Sequence, residues 1–315
     1  MAKILITTSS FSSAADAELA QLRVAGYEVV LNPRRRRLSE DEAQALLTAD
    51  VEGMIAGVEP LTRRVLAGAK GLKVVSRCGI GLDSVDLEAA RELGIEVLNT
   101  PDAPSGAVAE ITVGLTLAVL RKIALADRQV RAGQWRSLMG RLLSAQVAGV
   151  VGYGRIGRKV AALFGAFGCR VLACDPVATA AAPGVTLCGL DELLARSDIV
   201  SLHLPIGPDT AKLMNAARIA RMKKGAVLVN VSRGGLVDEA ALHQALVAGQ
   251  LGGAALDVFE KEPYAGPLAA LDQVVLTAHM GSAAEESRAV MEQEAAANLV
   301  RALSAKGLMM PARSI

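Results

Sequence analysis

The chain has 315 residues, 52% apolar and 21% charged, which is enough for about two domains with cores of their own and excludes an intrinsically disordered protein. Its 34 basic and 32 acidic residues leave a formal charge of +2, so composition points to neither nucleic acid nor an anionic membrane as partner. The most apolar helical stretch, 111–120, falls far short of the roughly 20 residues that a membrane span requires.

Short apolar, β-branched runs alternate with amphipathic segments from end to end, the rhythm of an α/β fold with parallel sheets. The opening MAKILITTSS has one lysine and a very short apolar core, too little for a secretory signal. Over the first hundred residues the spacing predicts strands at 3–7, 27–30, 53–56, 73–76 and 96–99. Helices fit between them near 14–25, 39–48, 61–67 and 86–93. Strands joined by such crossovers make a complete small doubly wound domain. A helix is expected from Ser105 to Arg121, behind the stop made by Pro101 and Pro104, and an irregular stretch carrying Trp135 follows it.

A second strand series is predicted at 147–151, 170–174, 199–202, 227–231, 253–256 and 274–276. The last helix, near 284–303, comes after that sheet is complete and is expected to return to the first lobe. The domains are then 1–100 with 285–315, and 101–284. Cys78, Cys169, Cys174 and Cys188 show no CxxC spacing, so neither a metal site nor a disulfide framework is indicated and a reducing cytoplasm fits.

The run 147–151 leads directly into Gly152-Tyr153-Gly154-Arg155-Ile156-Gly157, a GxGxxG between a strand and a helix. In such a loop the first glycine permits the tight turn, the second lets the backbone approach a pyrophosphate, and the third brings the helix close to the sheet. The helix N-terminus offers free N–H groups to the phosphates. The next strand ends at Asp175, placed to bind ribose hydroxyls; it would repel a 2′-phosphate, which favours NAD over NADP. A plain strand-ending turn at Asp175-Pro176 is the alternative.

Three strand ends deliver chemistry to one edge: Arg233 in NVSRGG, the carboxylates of DVFEKEP, and His279 in Thr277-Ala278-His279-Met280-Gly281. Arginine presents a planar fork to a carboxylate. Histidine exchanges a proton with an oxygen near neutral pH, and a carboxylate on its far nitrogen fixes the tautomer and favours imidazolium. The trio suits 2-oxo acid chemistry. His243 lies in a predicted helix, 239–248, and is most simply solvated.

The segments GYGRIG, HLPIGPDT, NVSRGGLVDE, ALDVFEKEP and HMGS, in this order, with SRCGIGLDSVD and NTPDAPSGAVAE upstream, resemble the signatures of the D-isomer-specific 2-hydroxyacid dehydrogenase family over nearly the whole chain. The resemblance implies two doubly wound parallel-sheet domains, a Rossmann nucleotide domain and a flavodoxin-like substrate domain, with the substrate cleft between them. It implies hydride transfer between NAD and C2 of a small 2-hydroxy or 2-oxo acid. Arg233, Glu262 and His279 become substrate anchor, histidine partner and acid/base, with Glu262 rather than Glu260 chosen by the proline that follows. The backbone around Cys78 and Gly79 helps to hold the substrate carboxylate. Arg155, Ile156, Asp175, His203, Pro205, Thr210 and Asp257 line the NAD site beside the glycines. A homodimer is implied as well; the helix from Ser105 and the stretch with Trp135 are its candidate surface, although a wholly internal helix has the same periodicity.

The overall pattern is nearest the phosphoglycerate dehydrogenase-like branch, which makes a D-3-phosphoglycerate-like acid the expected substrate and glyoxylate or hydroxypyruvate reduction the alternative. Typical phosphoglycerate dehydrogenases carry an arginine after the third strand of the first lobe. This chain reads Met54-Ile55-Ala56-Gly57-Val58-Glu59 there, and it has Pro104 where many relatives have asparagine. The run Arg34, Arg35, Arg36, Arg37 is either a solvated face or, after the second strand, a site for a substrate phosphate. Some relatives serve as NADH-responsive transcriptional corepressors, a binding role that keeps the same fold.

Overall fold

Lys3–Ile6 (β1), Glu28–Leu31 (β2), Val51–Ala56 (β3), Val74–Arg77 (β4) and Glu96–Asn99 (β5) form a sheet of order β2-β1-β3-β4-β5, every pair parallel. These elements come from a computed structural model that describes residues 1–9 and 11–309. The chain divides into two units, one holding residues 1–104 and the segment from 282 onward, the other Ser105–Gly281. In the first unit successive side chains of β1 enter opposite cores, Leu5 on one face and Ile4 and Ile6 on the other. Burial on both faces is what a parallel sheet between helix layers imposes, and it explains the unbroken apolar runs.

The crossovers are Asp16–Val24 (α1), Glu40–Leu46 (α2), Arg63–Gly68 (α3) and Leu87–Glu92 (α4). Local chemistry sets their starts. Ser39 and Glu42 form a reciprocal capping box at α2, while Thr62 and Asp86 cap α3 and α4. The predicted second strand sits one residue later in the structure. Tyr27 precedes the ladder and spends its hydroxyl on Glu52 at 2.8 Å.

The second unit opens with Ser105–Leu120 (α5) and Ile123–Arg131 (α6), separated by Lys122 in a left-handed conformation (φ 56°). Helix α6 corrects the expectation of an irregular stretch directly after α5; the stretch without helix begins only beyond it. Val147–Val151 (β6), Arg155–Ala166 (α7), Arg170–Cys174 (β7), Val185–Leu187 (β8), Leu190–Arg196 (α8), Ile199–Leu202 (β9), Ala216–Arg221 (α9), Ala226–Asn230 (β10), Glu239–Val247 (α10), Leu251–Leu256 (β11) and Val274–Leu276 (β12) follow. Their sheet has the order β12-β11-β10-β9-β6-β7-β8, again all parallel. The order reverses between β6 and β9, the doubly wound arrangement that binds dinucleotides at the reversal. Strand β8 is absent from the predicted series; its three residues are only half-buried or exposed.

Glu285–Ala305 (α11) belongs to the first unit. It buries Met291, Ala295, Ala296, Leu299, Ala302 and Leu303, a stripe at helical spacing, in the core that contains Ile4, Ile6 and Ile55. Among the described residues no helix is long and apolar enough to cross a membrane.

Candidate active site

In the second unit β6 turns into α7 through the glycine loop, and the three glycines do different work. Gly152 has φ +92°, and a Cβ there would collide with the His203 carbonyl. A Cβ at Gly157 would strike the Gly152 carbonyl oxygen, a clash that only glycine avoids. At Gly154 a Cβ would meet nothing within 4 Å. Its missing side chain relieves no internal clash and leaves bare backbone at the helix start. Gly154 is the N-cap of α7, and no side chain caps the helix. Uncapped N–H groups beside open backbone fit the phosphates of a dinucleotide.

Asp175 ends β7 beside that loop. Its Oδ2 accepts the Tyr153 N–H at 2.7 Å and its Oδ1 the Val177 N–H at 2.9 Å. The turn reading of Asp175 is thus visible: the carboxylate makes its own turn and ties that turn to the glycine loop. Each oxygen retains acceptor capacity for a ribose hydroxyl. Arg155 and Ile156 form the first turn of α7.

The segment after β9 carries His203, Pro205 and Thr210, and the Thr210 hydroxyl donates to the Pro205 carbonyl at 2.8 Å, closing it into a loop. His203 Nε2 lies 2.8 Å from Ser201 Oγ, whereas Nδ1 is buried without a hydrogen-bond partner. Burial pushes the ring down to a pKa of about 3, so it is neutral at working pH. A neutral ring with an unsatisfied nitrogen is suited to a polar, uncharged contact.

Arg233, Glu262 and His279 come from the loops after β10, β11 and β12, three adjacent strands. His279 Nδ1 lies 3.0 Å from Glu262 Oε2, and Glu262 Oε1 accepts the Phe259 N–H at 3.2 Å. Glu262 is therefore held at both oxygens. Glu260 is engaged elsewhere, with Glu239 and Lys212. Among the described residues no hydrogen bond occupies His279 Nε2, and the side chain is about half exposed.

Arg233 is half-buried and its Nη1 donates to the Ser232 carbonyl at 2.7 Å. A residue that sequence reading passes over shapes this loop. Asn230 is fully buried; its amide donates to the Arg233 carbonyl at 2.9 Å and accepts the Ser232 N–H at 3.1 Å. The motif NVSRGG contains it, but only the fold shows the side chain bending back over its own loop. Gly234 lets that loop lie on the Phe259–Glu260 backbone, where any Cβ would collide with Phe259.

Asp257 follows β11 and is 0% exposed. Its carboxylate accepts the N–H groups of Met280 at 2.8 Å and Gly281 at 2.7 Å, and the Thr277 hydroxyl at 2.5 Å. Its carbonyl accepts the His279 N–H at 2.8 Å. The His279 backbone has φ +51°, a left-handed conformation that costs a non-glycine residue of the order of 1 kcal/mol. Asp257 grips both sides of the strained residue.

Cys78 and Gly79 belong to the first unit, after β4. Burial pushes the Cys78 thiol up to about 11, so it is no nucleophile. The expected carboxylate site is the backbone around Cys78 and Gly79, and the fold already uses the N–H groups of these two residues. The Cys78 N–H goes to the Ala56 carbonyl at 2.9 Å and the Gly79 N–H to Thr100 Oγ1 at 2.8 Å. Among the described residues nothing engages the N–H groups of Ile80 and Gly81, one step further along the loop.

Of the arginine run, Arg36 is bidentate to Glu42 and Arg34 lies 3.7 Å from the same carboxylate, while all four arginines are exposed. That is the geometry of a solvated face.

Residues 113–281 match the family model described as D-isomer specific 2-hydroxyacid dehydrogenase, NAD binding domain. The chain is 42% identical over 256 residues to a D-3-phosphoglycerate dehydrogenase of Methanocaldococcus jannaschii, a match covering 79% of this chain and 49% of that one. It thus spans about half the length of that relative. It is 37% identical over 279 residues to a hydroxypyruvate reductase of Thermotoga maritima, covering 87% of this chain and 90% of the other. Among solved structures, the TT0316 protein of Thermus thermophilus superposes with a TM-score of 0.88 at 38% identity, covering 96% of this chain and 97% of that chain.

Proposed function

The chain belongs to the D-isomer-specific 2-hydroxyacid dehydrogenase family, and we propose that it catalyses NAD-dependent oxidation and reduction at C2 of a small 2-hydroxy or 2-oxo acid. The observation that carries the reading is the His279–Glu262 pair, set at the carboxyl edge of a sheet whose glycine loop fits a dinucleotide. NAD, when bound, supplies the hydride chemistry. Gly152, Gly154, Gly157, Arg155, Ile156, Asp175, His203, Pro205 and Thr210 would hold it.

In this reading His279 Nε2 gives a proton to the C2 oxygen during reduction and takes it back during oxidation. Glu262 accepts from Nδ1 and so fixes the ring with Nε2 turned to the substrate. Arg233 offers its fork to the substrate carboxylate. The first unit acts as the substrate domain, and the backbone around Cys78 and Gly79, where among the described residues the N–H groups of Ile80 and Gly81 are unengaged, is its place for a carboxylate. Asp257 acts from beneath, by fixing the segment that carries His279.

Two substrate readings have support. Identity of 42% to a D-3-phosphoglycerate dehydrogenase favours a phosphorylated acid. The match to hydroxypyruvate reductase over 90% of its length, and the pairing of Arg36 with Glu42, favour an unphosphorylated one. We place the protein in the cytoplasm, a setting that suits its four free thiols. We further propose a homodimer. Helix α6 buries no residue and exposes Ile123 and Val130, and Trp135 and Met139 stand exposed beyond it, an apolar surface of the kind that seeks a partner.

The test is NADH oxidation with glyoxylate, hydroxypyruvate, pyruvate and 3-phosphohydroxypyruvate, with His279→Ala as control. Turnover of at least one acid that collapses in the variant is the expected result. Tight NADH binding without turnover of any acid would overturn the reading in favour of a nucleotide-responsive binding protein.

A further inference from the structure

We propose that Glu59 determines substrate specificity, accepting a hydroxyl at C3 of the 2-oxo acid and turning away a phosphate there. The inference rests on the dehydrogenase reading and deepens it to a substrate class.

In the first unit the strand order reverses between β1 and β3, and open α/β sheets take ligands beyond the carboxyl ends of strands at such a reversal. Both strands end in polar groups there. Strand β1 runs into Thr7 and Thr8; β3 runs into Gly57-Val58-Glu59. The neighbouring β4 pairs with β3 in register, Ala56 opposite Arg77, and delivers the loop of Ile80 and Gly81 to the same edge. In this proposal a substrate carboxylate on that loop has its C3 group toward the ends of β1 and β3.

Glu59 is 1% exposed. Its Oε1 accepts the Thr7 hydroxyl and, at 3.1 Å, the Gly57 N–H; the Gly57 N–H also reaches Thr7 Oγ1 at 3.2 Å. Among the described residues no hydrogen bond engages Oε2. A Cβ on residue 57 would lie 2.8 Å from that atom, so Glu59 occupies the space that a side chain at 57 would need. Glycine and glutamate form one device. It puts a carboxylate at the very strand end where the phosphoglycerate dehydrogenase pattern has an arginine. Arg77, at the end of β4, donates to the Cys78 carbonyl.

Oε2, which no donor among the described residues engages, has acceptor capacity for a donor from the ligand. A hydroxyl supplies it. A phosphate brings only acceptors and negative charge, which a largely desolvated carboxylate repels.

The experiment compares kcat/KM for hydroxypyruvate, pyruvate and 3-phosphohydroxypyruvate in the wild type, Glu59→Gln and Glu59→Ala, with thermal melts of each. Pyruvate, which has no C3 donor, is the reference. The wild type is expected to favour hydroxypyruvate over the phosphorylated acid by on the order of a hundredfold. Glu59→Gln keeps shape and removes charge, and it should narrow that ratio about tenfold or more, mainly through KM. Glu59→Ala should lower the ratio of hydroxypyruvate to pyruvate. If the alanine variant does not fold, the glutamine ratio decides. A wild-type preference for the phosphorylated acid, or ratios unmoved by Glu59→Gln, would overturn the role of Glu59 while leaving the dehydrogenase intact. No turnover of any acid by the wild type would overturn the dehydrogenase reading and this inference with it.

Discussion

Glu262 holds His279 by a single contact, Oε2 to Nδ1 at 3.0 Å, and is itself held at Oε1 by the Phe259 N–H. The ring orientation thus follows from the β11 loop, and Nε2 is the nitrogen presented to chemistry. His279→Ala should lower kcat by roughly a hundredfold or more, the usual worth of a general acid or base, with little change in NADH affinity. Glu262→Gln keeps the size of the side chain but can turn an amide NH₂ toward Nδ1 in place of an acceptor, so kcat should fall, though less than in His279→Ala. Steady-state kinetics check both. Unchanged kcat in His279→Ala would remove it from the proton transfer.

Asp175 accepts N–H groups from Tyr153 and Val177 and still has capacity for ribose hydroxyls. Asp175→Ser removes the charge that opposes a 2′-phosphate. The ratio of NADH to NADPH in kcat/KM should fall about tenfold or more, with part of the change coming from weaker NADH binding as the glycine loop loses its tie. Fluorescence titration with both nucleotides reads it directly. A ratio that stays put would assign Asp175 to the turn alone.

Asp257→Asn places an amide NH₂ among donors. The native carboxylate serves the N–H groups of Met280 and Gly281 and the Thr277 hydroxyl, and asparagine satisfies only some of them. A loss of about 1–3 kcal/mol in stability is expected, the cost of leaving a buried donor unmet. Since the same contacts hold His279 at φ +51°, kcat should fall further than the melting temperature alone explains. Melts and kinetics on one preparation separate these effects. A stable variant with full kcat would show that the segment holds itself.

Much of this is legible because buried parallel strands write themselves as apolar runs. Val147–Val151 and Arg170–Cys174 coincide with their predicted bounds, and Gly152 to Gly157 mark the turn between sheet and helix without ambiguity. Legibility fades where an element is short or polar. Strand β8 has three residues, too few for the alternation of Val185 and Leu187 about Thr186 to announce it. Helix α6 is amphipathic but only nine residues long and buries none of them, so it is hard to tell from the irregular stretch that follows. Side chains that act on backbone are hidden for a different reason. Asn230 and Asp257 sit inside motifs, but which carbonyl or N–H they reach depends on the loop path. Glu59 shows in the sequence only as the lack of an arginine; its contact with Thr7 needs the pairing of β1 with β3.

His203 supplies the last prediction. Its Nδ1 is buried without a partner and burial pushes the ring from 6.5 to about 3. In the unfolded chain the same ring takes up a proton near pH 6.5. Between these two values the unfolded state binds a proton that the folded state refuses, so stability rises with pH across that window and is lost as pH falls from 6.5 toward 3. Above 6.5 the ring is neutral in both states and contributes no slope. The residue is partly exposed, which makes about 1.4 kcal/mol per pH unit an upper bound for its share. His203→Gln retains a polar contact for Ser201 and removes the titration. Urea melts of both proteins at pH 7 and pH 5 should show the wild type losing about 1–2 kcal/mol more than the variant on acidification. Equal losses would mean that His203 accepts its proton in the native state and that its pocket is open to water.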